Sequence, residues 1–350
     1  MKRNLFFATA SVLALSASAA LADSNLVILN QTDTTQTATI DQTGSNNSVG
    51  TYGSWSGFDQ KNGGLDGYND LKVTQSGNGN SLGRDIKGSQ SGSVNTAVIS
   101  QAGGNSDVEL QQSGIRNGES VFNGSITNKI SQNGTAYESK AELTQAGNFN
   151  LFDITQGGYQ GRITANQAGD ANSIKINQAL SYDPSYGYSS NRINSQQTGS
   201  YATADITQAG SSNNIDSLQY GNSGYASQKL TANTTGNSNY IYNNQTGADV
   251  VADLKQNGSS NYIYNYQSGA TQSVIVSQLG SGNGVYGQQA GNNNKVTIDQ
   301  GQGQLTGSSN YANYVQNGSS LTLTLVQTGA SNASYTNQTG SNSTATITQR

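Results

Sequence analysis

The chain has 350 residues, of which only 32% are hydrophobic and 10% charged, with a formal charge of −4, one Pro and neither Cys nor His. Typical domains hold roughly 45–50% apolar residues (Gly included) and about 25% charged, so Gly, Ser, Thr, Asn and Gln fill the difference here. Missing His and Cys exclude imidazole acid–base catalysis, thiol nucleophiles, disulfides and the usual zinc and haem ligands. Low charge, almost no Pro and many amides describe a chain able to stack as β-structure rather than one that stays disordered.

From the N-terminus, Lys2 and Arg3 precede an apolar run, Leu5 to Leu15, and the small-residue pattern Ala20-Leu21-Ala22. This is the layout of a cleaved secretory signal, residues 1–22. The run is shorter than the ~20 residues that span a bilayer, and no later segment is long or apolar enough to cross one. A mature chain from Asp23 would keep 14 basic and 20 acidic residues. It shows no basic patch interleaved with aromatics, so a nucleic-acid partner is not expected.

The tripeptide Gln-x-Gly then recurs 20 times, and within each uninterrupted series its Gln positions step by 11, as in 245, 256, 267, 278 and 289. A fixed internal period identifies a repeat architecture before any element is assigned. Counting each Gln as zero, offset +5 is often Asn, offsets +7 and +9 are small or apolar, and +11 is the next Gln. Side chains alternate along a strand, so these odd offsets share one face. Offsets +1 to +4 carry Gly, Ser and Asn, which is turn chemistry. Two strand–turn units of 11 residues close one rung of 22, and identical residues then stack about 4.8 Å apart. The predicted fold is all-β, a β-solenoid of two parallel sheets over residues 23–350.

Buried amides are tolerable in such a stack because each donates to the copy on one side and accepts from the copy on the other, where an unpaired one would cost about 1–3 kcal/mol. The expected inward ladder comprises Gln90, Gln101, Gln145, Gln167, Gln208, Gln245, Gln256, Gln267, Gln278, Gln289, Gln327, Gln338 and Gln349, with Asn95, Asn150, Asn172, Asn213, Asn261, Asn283, Asn294 and Asn332. The expected turn glycines are Gly92, Gly103, Gly147, Gly169, Gly210, Gly247, Gly258, Gly269, Gly280, Gly291, Gly329 and Gly340.

The period stretches in a few places, where extra residues would lengthen surface turns: near 83–88, 118–130, 181–192, 221–232 and 302–312. The segment near 50–72 has lost the motif and reads as a degenerate rung or a loop. Even offsets should face outward, among them an exposed column of Tyr240, Tyr242, Tyr262, Tyr264 and Tyr286. Gly282-x-Gly284-x-x-Gly287 spells a dinucleotide fingerprint, but no helix follows, so the match is chance. No catalytic, cofactor-binding or metal residue is expected, nor any calcium-type repeat.

Ser89 to Gln101, "SQSGSVNTAVISQ", resembles the curlin-associated repeat, Gln-x-Gly-x-x-Asn-x-Ala-x-x-x-Gln, with Gln90, Gly92, Asn95, Ala97 and Gln101 at every fixed place. The resemblance implies an exported subunit of functional amyloid fibres serving adhesion and biofilm matrix at the bacterial surface. Its implied partners are further copies of itself, a related subunit or nucleator, and an outer-membrane export machinery. The chain departs from the family in its roughly eleven or twelve rungs and in lacking a Gly-rich segment after Ala22. End-to-end growth is expected, because the terminal unit "STATITQR" carries no polar cap. The alternatives are a monomeric surface adhesin or an ice-binding-type solenoid, the latter prompted by Thr322 and Thr324 recurring as Thr344 and Thr346.

Overall fold

A computed structural model describes residues 24–32, 36–50, 57–61, 68–118, 128–133, 136, 138–180, 190–221, 227–301 and 309–350. The signal-type segment 1–22 and the cores of four expected insertions (119–127, 181–189, 222–226 and 302–308) lie outside the described residues. Among those described there are 29 strands and no helix. No helix is long and apolar enough to cross a membrane.

The described residues form two compact units, one up to Gln178 and the other from Ala179 to Arg350. Each is a solenoid of two parallel sheets. In the second unit, one sheet stacks Arg192–Thr198, Asn214–Gly221, Tyr240–Ala248, Tyr262–Ala270, Gly284–Asn292, Tyr311–Ser319 and Ala333–Ser341 in that order. The facing sheet stacks Thr203–Ser211, Gln228–Asn237, Val250–Ser259, Ser273–Ser281, Lys295–Gln300, Thr322–Gln327 and Thr344–Gln349. Register follows the period: Tyr240 lies beside Tyr262, Gln245 beside Gln267 and Gly247 beside Gly269. Between the sheets, columns such as Ile215, Ile241, Ile263 and Val285, facing Leu230, Ala252, Val274 and Val296, are at most 1% exposed. Each fully buried aliphatic side chain of this size contributes about 1.5–3 kcal/mol.

The corners are tighter than the sequence implies. Strands run past the glycine, as Tyr262–Ala270 does past Gly269, and the chain turns over a residue or two. At offset +4 a non-glycine residue adopts the left-handed conformation in nearly every unit, including Ser238, Asp249, Ser260 and Thr271 at φ of 52–57°. The strands Asn128–Gln132 and Gln228–Asn237 begin inside segments expected to loop.

The first unit departs more. Its second sheet is regular, from Gln36–Thr43 through Asn69–Ser76, Thr96–Gln101, Asn128–Gln132 and Leu151–Gln156. Its first sheet has strands split in mid-course: Ser48–Val49 and Phe58–Lys61 belong to one rung, Ser81–Leu82 and Ser89–Ser93 to the next. Both halves of the latter pair with Asp107–Ile115. The insertion at 83–88 therefore bulges from the sheet face and does not lengthen a turn. Within the motif-poor segment, Phe58 is fully buried, so 58–61 is a true rung.

One corner shows why glycine is required. Gly258 has φ 137°, and a Cβ there would lie 1.8 Å from the Gly280 carbonyl oxygen of the next rung. Gly340, at φ 104°, would meet nothing within 4 Å. Gly340→Ala is expected to cost only the conformational penalty, about 1–2 kcal/mol, whereas Gly258→Ala must also displace a neighbouring strand. Equilibrium denaturation of the two variants should therefore separate them clearly; equal losses would contradict the register.

Candidate self-assembly ladders and edges

The ladder is built by glutamines at the zero offset, which the strand alternation turns inward beside each corner. In the second unit Gln256 Nε2 donates to Gln278 Oε1 at 2.9 Å, Gln278 to Gln300 at 2.9 Å, Gln300 to Gln327 at 2.7 Å and Gln327 to Gln349 at 2.7 Å. The facing sheet carries a parallel ladder from Gln197 through Gln219, Gln245, Gln267, Gln289 and Gln316 to Gln338. The first unit repeats both, as in Gln90 to Gln112, Gln101 to Gln132 and Gln145 to Gln167. The amide also donates across the core, for example from Gln256 to the Tyr240 carbonyl at 3.1 Å and from Gln278 to that of Tyr262 at 3.2 Å. Each Gln thus joins successive rungs and also the two sheets.

Every one of these ladder bonds runs from the earlier residue's nitrogen to the later residue's oxygen. The ladders are polar. In the first unit the earliest ladder members, Gln31 and Gln42, donate onward to Gln60 and Gln75; in the second, Gln338 and Gln349 donate to the backbone carbonyls of Thr322 and Ala333 and to no further glutamine.

The asparagines work differently from the expectation that each pairs with its own copy. Asn261 Oδ1 accepts the backbone N–H of Asn283 at 2.9 Å, and its Nδ2 donates to the Gly280 carbonyl at 2.8 Å. Asn150 and Asn213 follow the same pattern. Direct amide contacts occur as well, as from Asn283 to Asn261 at 3.1 Å. Offset +5 is therefore a corner brace. Asn95, Asn150, Asn172, Asn213, Asn261, Asn283 and Asn294 are buried, and Asn332, in the last rung, is half-buried.

The structure adds members that Gln-x-Gly counting leaves out. Gln60, in the motif-poor segment, accepts from Gln31 and donates to Gln90, both at 2.8 Å. Gln228 and Gln272 take the brace position, donating to the carbonyls of Gly247 and Gly291. Another column, Ser195, Ser217, Asn243, Asn265, Gly287 and Tyr314, is polar where the apolar core would continue. Tyr314 is 1% exposed and its hydroxyl donates to Asn265 Oδ1 at 3.2 Å across the rung of Gly287. A Cβ at Gly287 would sit 2.1 Å from that ring, and one at Gly284 would sit 2.2 Å from Tyr262. The dinucleotide-like spelling is thereby explained: two of its glycines make room for tyrosines.

One rung breaks the ladder. Thr234 stands between Gln208 and Gln256, and its hydroxyl is too short to bridge. Both Thr234 Oγ1 and Gln256 Oε1 are buried without a hydrogen-bond partner.

The tyrosine column is half-buried rather than exposed, because the rings cover one another. Tyr240 and Tyr264 have centroids 5.3 Å apart, Tyr242 and Tyr264 6.1 Å, Tyr262 and Tyr264 6.1 Å, and Tyr264 and Tyr286 6.2 Å. Tyr266 joins them from offset +10, 5.2 Å from Tyr242. Burial first, then the Asp216 carboxylate and neighbouring phenols, pushes the Tyr240 hydroxyl up to about 12; the hydroxyls of Tyr262 and Tyr266 are raised by burial and then by neighbouring phenols.

Even offsets fail to face water at one place. Asp107 and Glu109 are 1% and 2% exposed beneath the 83–88 bulge. Burial, then the neighbouring Asp107, pushes the Glu109 carboxyl up to about 8.

At the far edge, Ala333–Ser341 and Thr344–Gln349 have no strand on their outer sides among the described residues. Ile347 is half-buried there, whereas Leu325 and Ile298 in its column are 1% exposed.

The curlin-associated repeat family matches residues 318–350, which take in the strands Thr322–Gln327, Ala333–Ser341 and Thr344–Gln349. No curated protein matches the chain.

Two outcomes follow from this geometry. Thr234→Gln should complete the broken ladder and raise stability by about 1–2 kcal/mol, the value of pairing a buried polar group; an unchanged denaturation midpoint would contradict it. A phenol titrates near 10 in an unfolded chain, so the tyrosine array contributes stability that is present below pH 10 and lost as pH rises through about 12. Denaturation midpoints should fall over that window, and Tyr240→Phe should flatten the fall.

Proposed function

We propose that the chain is a structural subunit of an extracellular, curli-type fibre that polymerises end to end and serves adhesion and biofilm matrix. The observation that carries this reading is the pair of polar glutamine ladders ending beside a half-exposed rung. Gln338 and Gln349 lack a further glutamine to receive their donors, and the unpaired outer strands offer backbone N–H and C=O groups. A second copy would meet these donors with the acceptors of Gln31 and Gln42, continuing both ladders and covering Ile347. Growth on this scheme is head to tail, a heterologous contact that does not close and therefore makes filaments.

The curlin-associated repeat at 318–350 supports the same reading. So does the signal-type segment at 1–22, which fits export through the periplasm to the cell surface. Partners on this reading are sister copies, a related subunit or nucleator, an outer-membrane export machinery, and the surfaces or matrix to which the fibre adheres. The fibre needs no catalytic residue and no cofactor. For an ice-binding surface the observations are thinner: Thr322 and Thr344 stack, as do Thr324 and Thr346, but the columns continue into Lys295 and Thr297.

Incubating the purified chain alone should give thioflavin-positive fibres with a meridional reflection near 4.8 Å. Extending the C-terminus with a Pro-containing charged segment should abolish elongation. Fibres that grow equally well with that extension would exclude the proposed edge.

A further inference from the structure

The 83–88 bulge encloses chemistry that a fibre subunit does not require. Asp85 on the bulge, with Asp107 and Glu109 on the strand below, brings three carboxylates together. One ligand oxygen from each lies within 4.8 Å of the other two. Asp107 and Glu109 are 1% and 2% exposed, so neither is a casual surface acid. Each is held by one oxygen only. Ser81 Oγ donates to Asp107 Oδ1 at 2.6 Å, and the Asp85 N–H donates to Glu109 Oε1 at 2.8 Å. Glu109 Oε2 and Asp107 Oδ2 are buried without a hydrogen-bond partner. A buried acid oxygen without a partner is costly, and two beside each other call for a proton or a cation between them.

The cations at hand fill that role incompletely. Arg84 approaches Asp107 Oδ2 and Asp85 Oδ1 only to 3.5 Å. Lys140 stands 4.0 Å from Asp107 Oδ2, but 2.7 Å from Asp85 Oδ2 and 3.1 Å from Glu142 Oε1. Arg162 is engaged with Glu142 at 3.2 Å. These three cations sit around Asp85, Asp107 and Glu142, and no cation touches Glu109 Oε2 among the described residues.

We propose that Asp85, Asp107 and Glu109 form a binding site for one hard divalent cation of the calcium class. Oxygens on a Ca²⁺ ion lie 2.3–2.6 Å from it, so two of them can stand up to about 5 Å apart, whereas the tighter octahedron of Mg²⁺ allows only about 4.2 Å. Separations of up to 4.8 Å lie within what the larger ion can span. Asp85, with a half-exposed side chain, supplies the entry path. Lys140 can release it and stay on Glu142. Cation binding would pin the bulge to the sheet face, tying the least regular part of the first unit to its rung.

Calorimetric titration of the chelator-washed chain with CaCl2 should show one ion bound per chain, with Kd on the order of 10⁻⁴ M, the range of exposed extracellular sites. Mg²⁺ should bind roughly tenfold more weakly or worse. Glu109→Gln, which keeps the shape of the side chain, should abolish uptake, and Asp85→Ala on the exposed bulge should weaken it. Far-UV circular dichroism of both variants establishes that they fold; should the buried variant fail to, Asp85→Ala alone decides. Absence of uptake at about 10 mM Ca²⁺, a hundredfold above the expected Kd, would overturn the proposal, as would uptake unchanged by these substitutions.

Discussion

A primary amide repeated at the strand spacing is self-complementary, and this fold depends on that property. Its core sets buried Gln and Asn beside the apolar columns, so the amides must be paired as well as the aliphatic side chains packed. What permits Gln and Asn to replace oil is translation: a residue one rung away has the same groups in the same orientation, displaced by about 4.8 Å. The donor of one amide then lies opposite the acceptor of the next. The second N–H reaches across to the facing sheet, as from Gln256 to Tyr240. The same atoms specify register along the stack and spacing between the sheets.

That dependence explains which departures are tolerated. Residues can be added wherever the next zero-offset Gln still arrives in its place. Gln31 and Gln60 are 29 residues apart and Gln60 and Gln90 are 30 apart, yet all three stack. Glycine is required where a Cβ would strike the neighbouring rung, as at Gly258, and where an aromatic ring crosses, as at Gly287. A missing amide is felt on both sides, since Thr234 leaves its own hydroxyl and the Gln256 carbonyl oxygen unpaired.

Much of this was legible from period alone, because an 11-residue step and a two-residue alternation together assign each side chain to an inner or outer face. The inward placement of Gln256, Gln278 and Asn261 follows directly. Gln60 was not legible, since its rung lacks Gln-x-Gly. Nor was the role of Asn as a brace on backbone groups, which depends on the left-handed corner at offset +4. The tyrosines were placed on the right face with the wrong exposure, because alternation says nothing of rings leaning on one another. The pairing of Asp107 and Glu109 with Asp85 was hidden for a related reason: period assigns them outward, and only the bulge above them makes that side an interior.

The split strands at Ser81–Leu82 and Ser89–Ser93 have a practical corollary. Pairing resumes on the same partner strand after a detour of six residues, so the scaffold keeps count by side-chain chemistry rather than by chain length. A foreign loop grafted at such a detour would be displayed from a flat face at intervals set by the stack, leaving corners and core undisturbed. A solenoid with this property is a ruler onto which cargo can be hung.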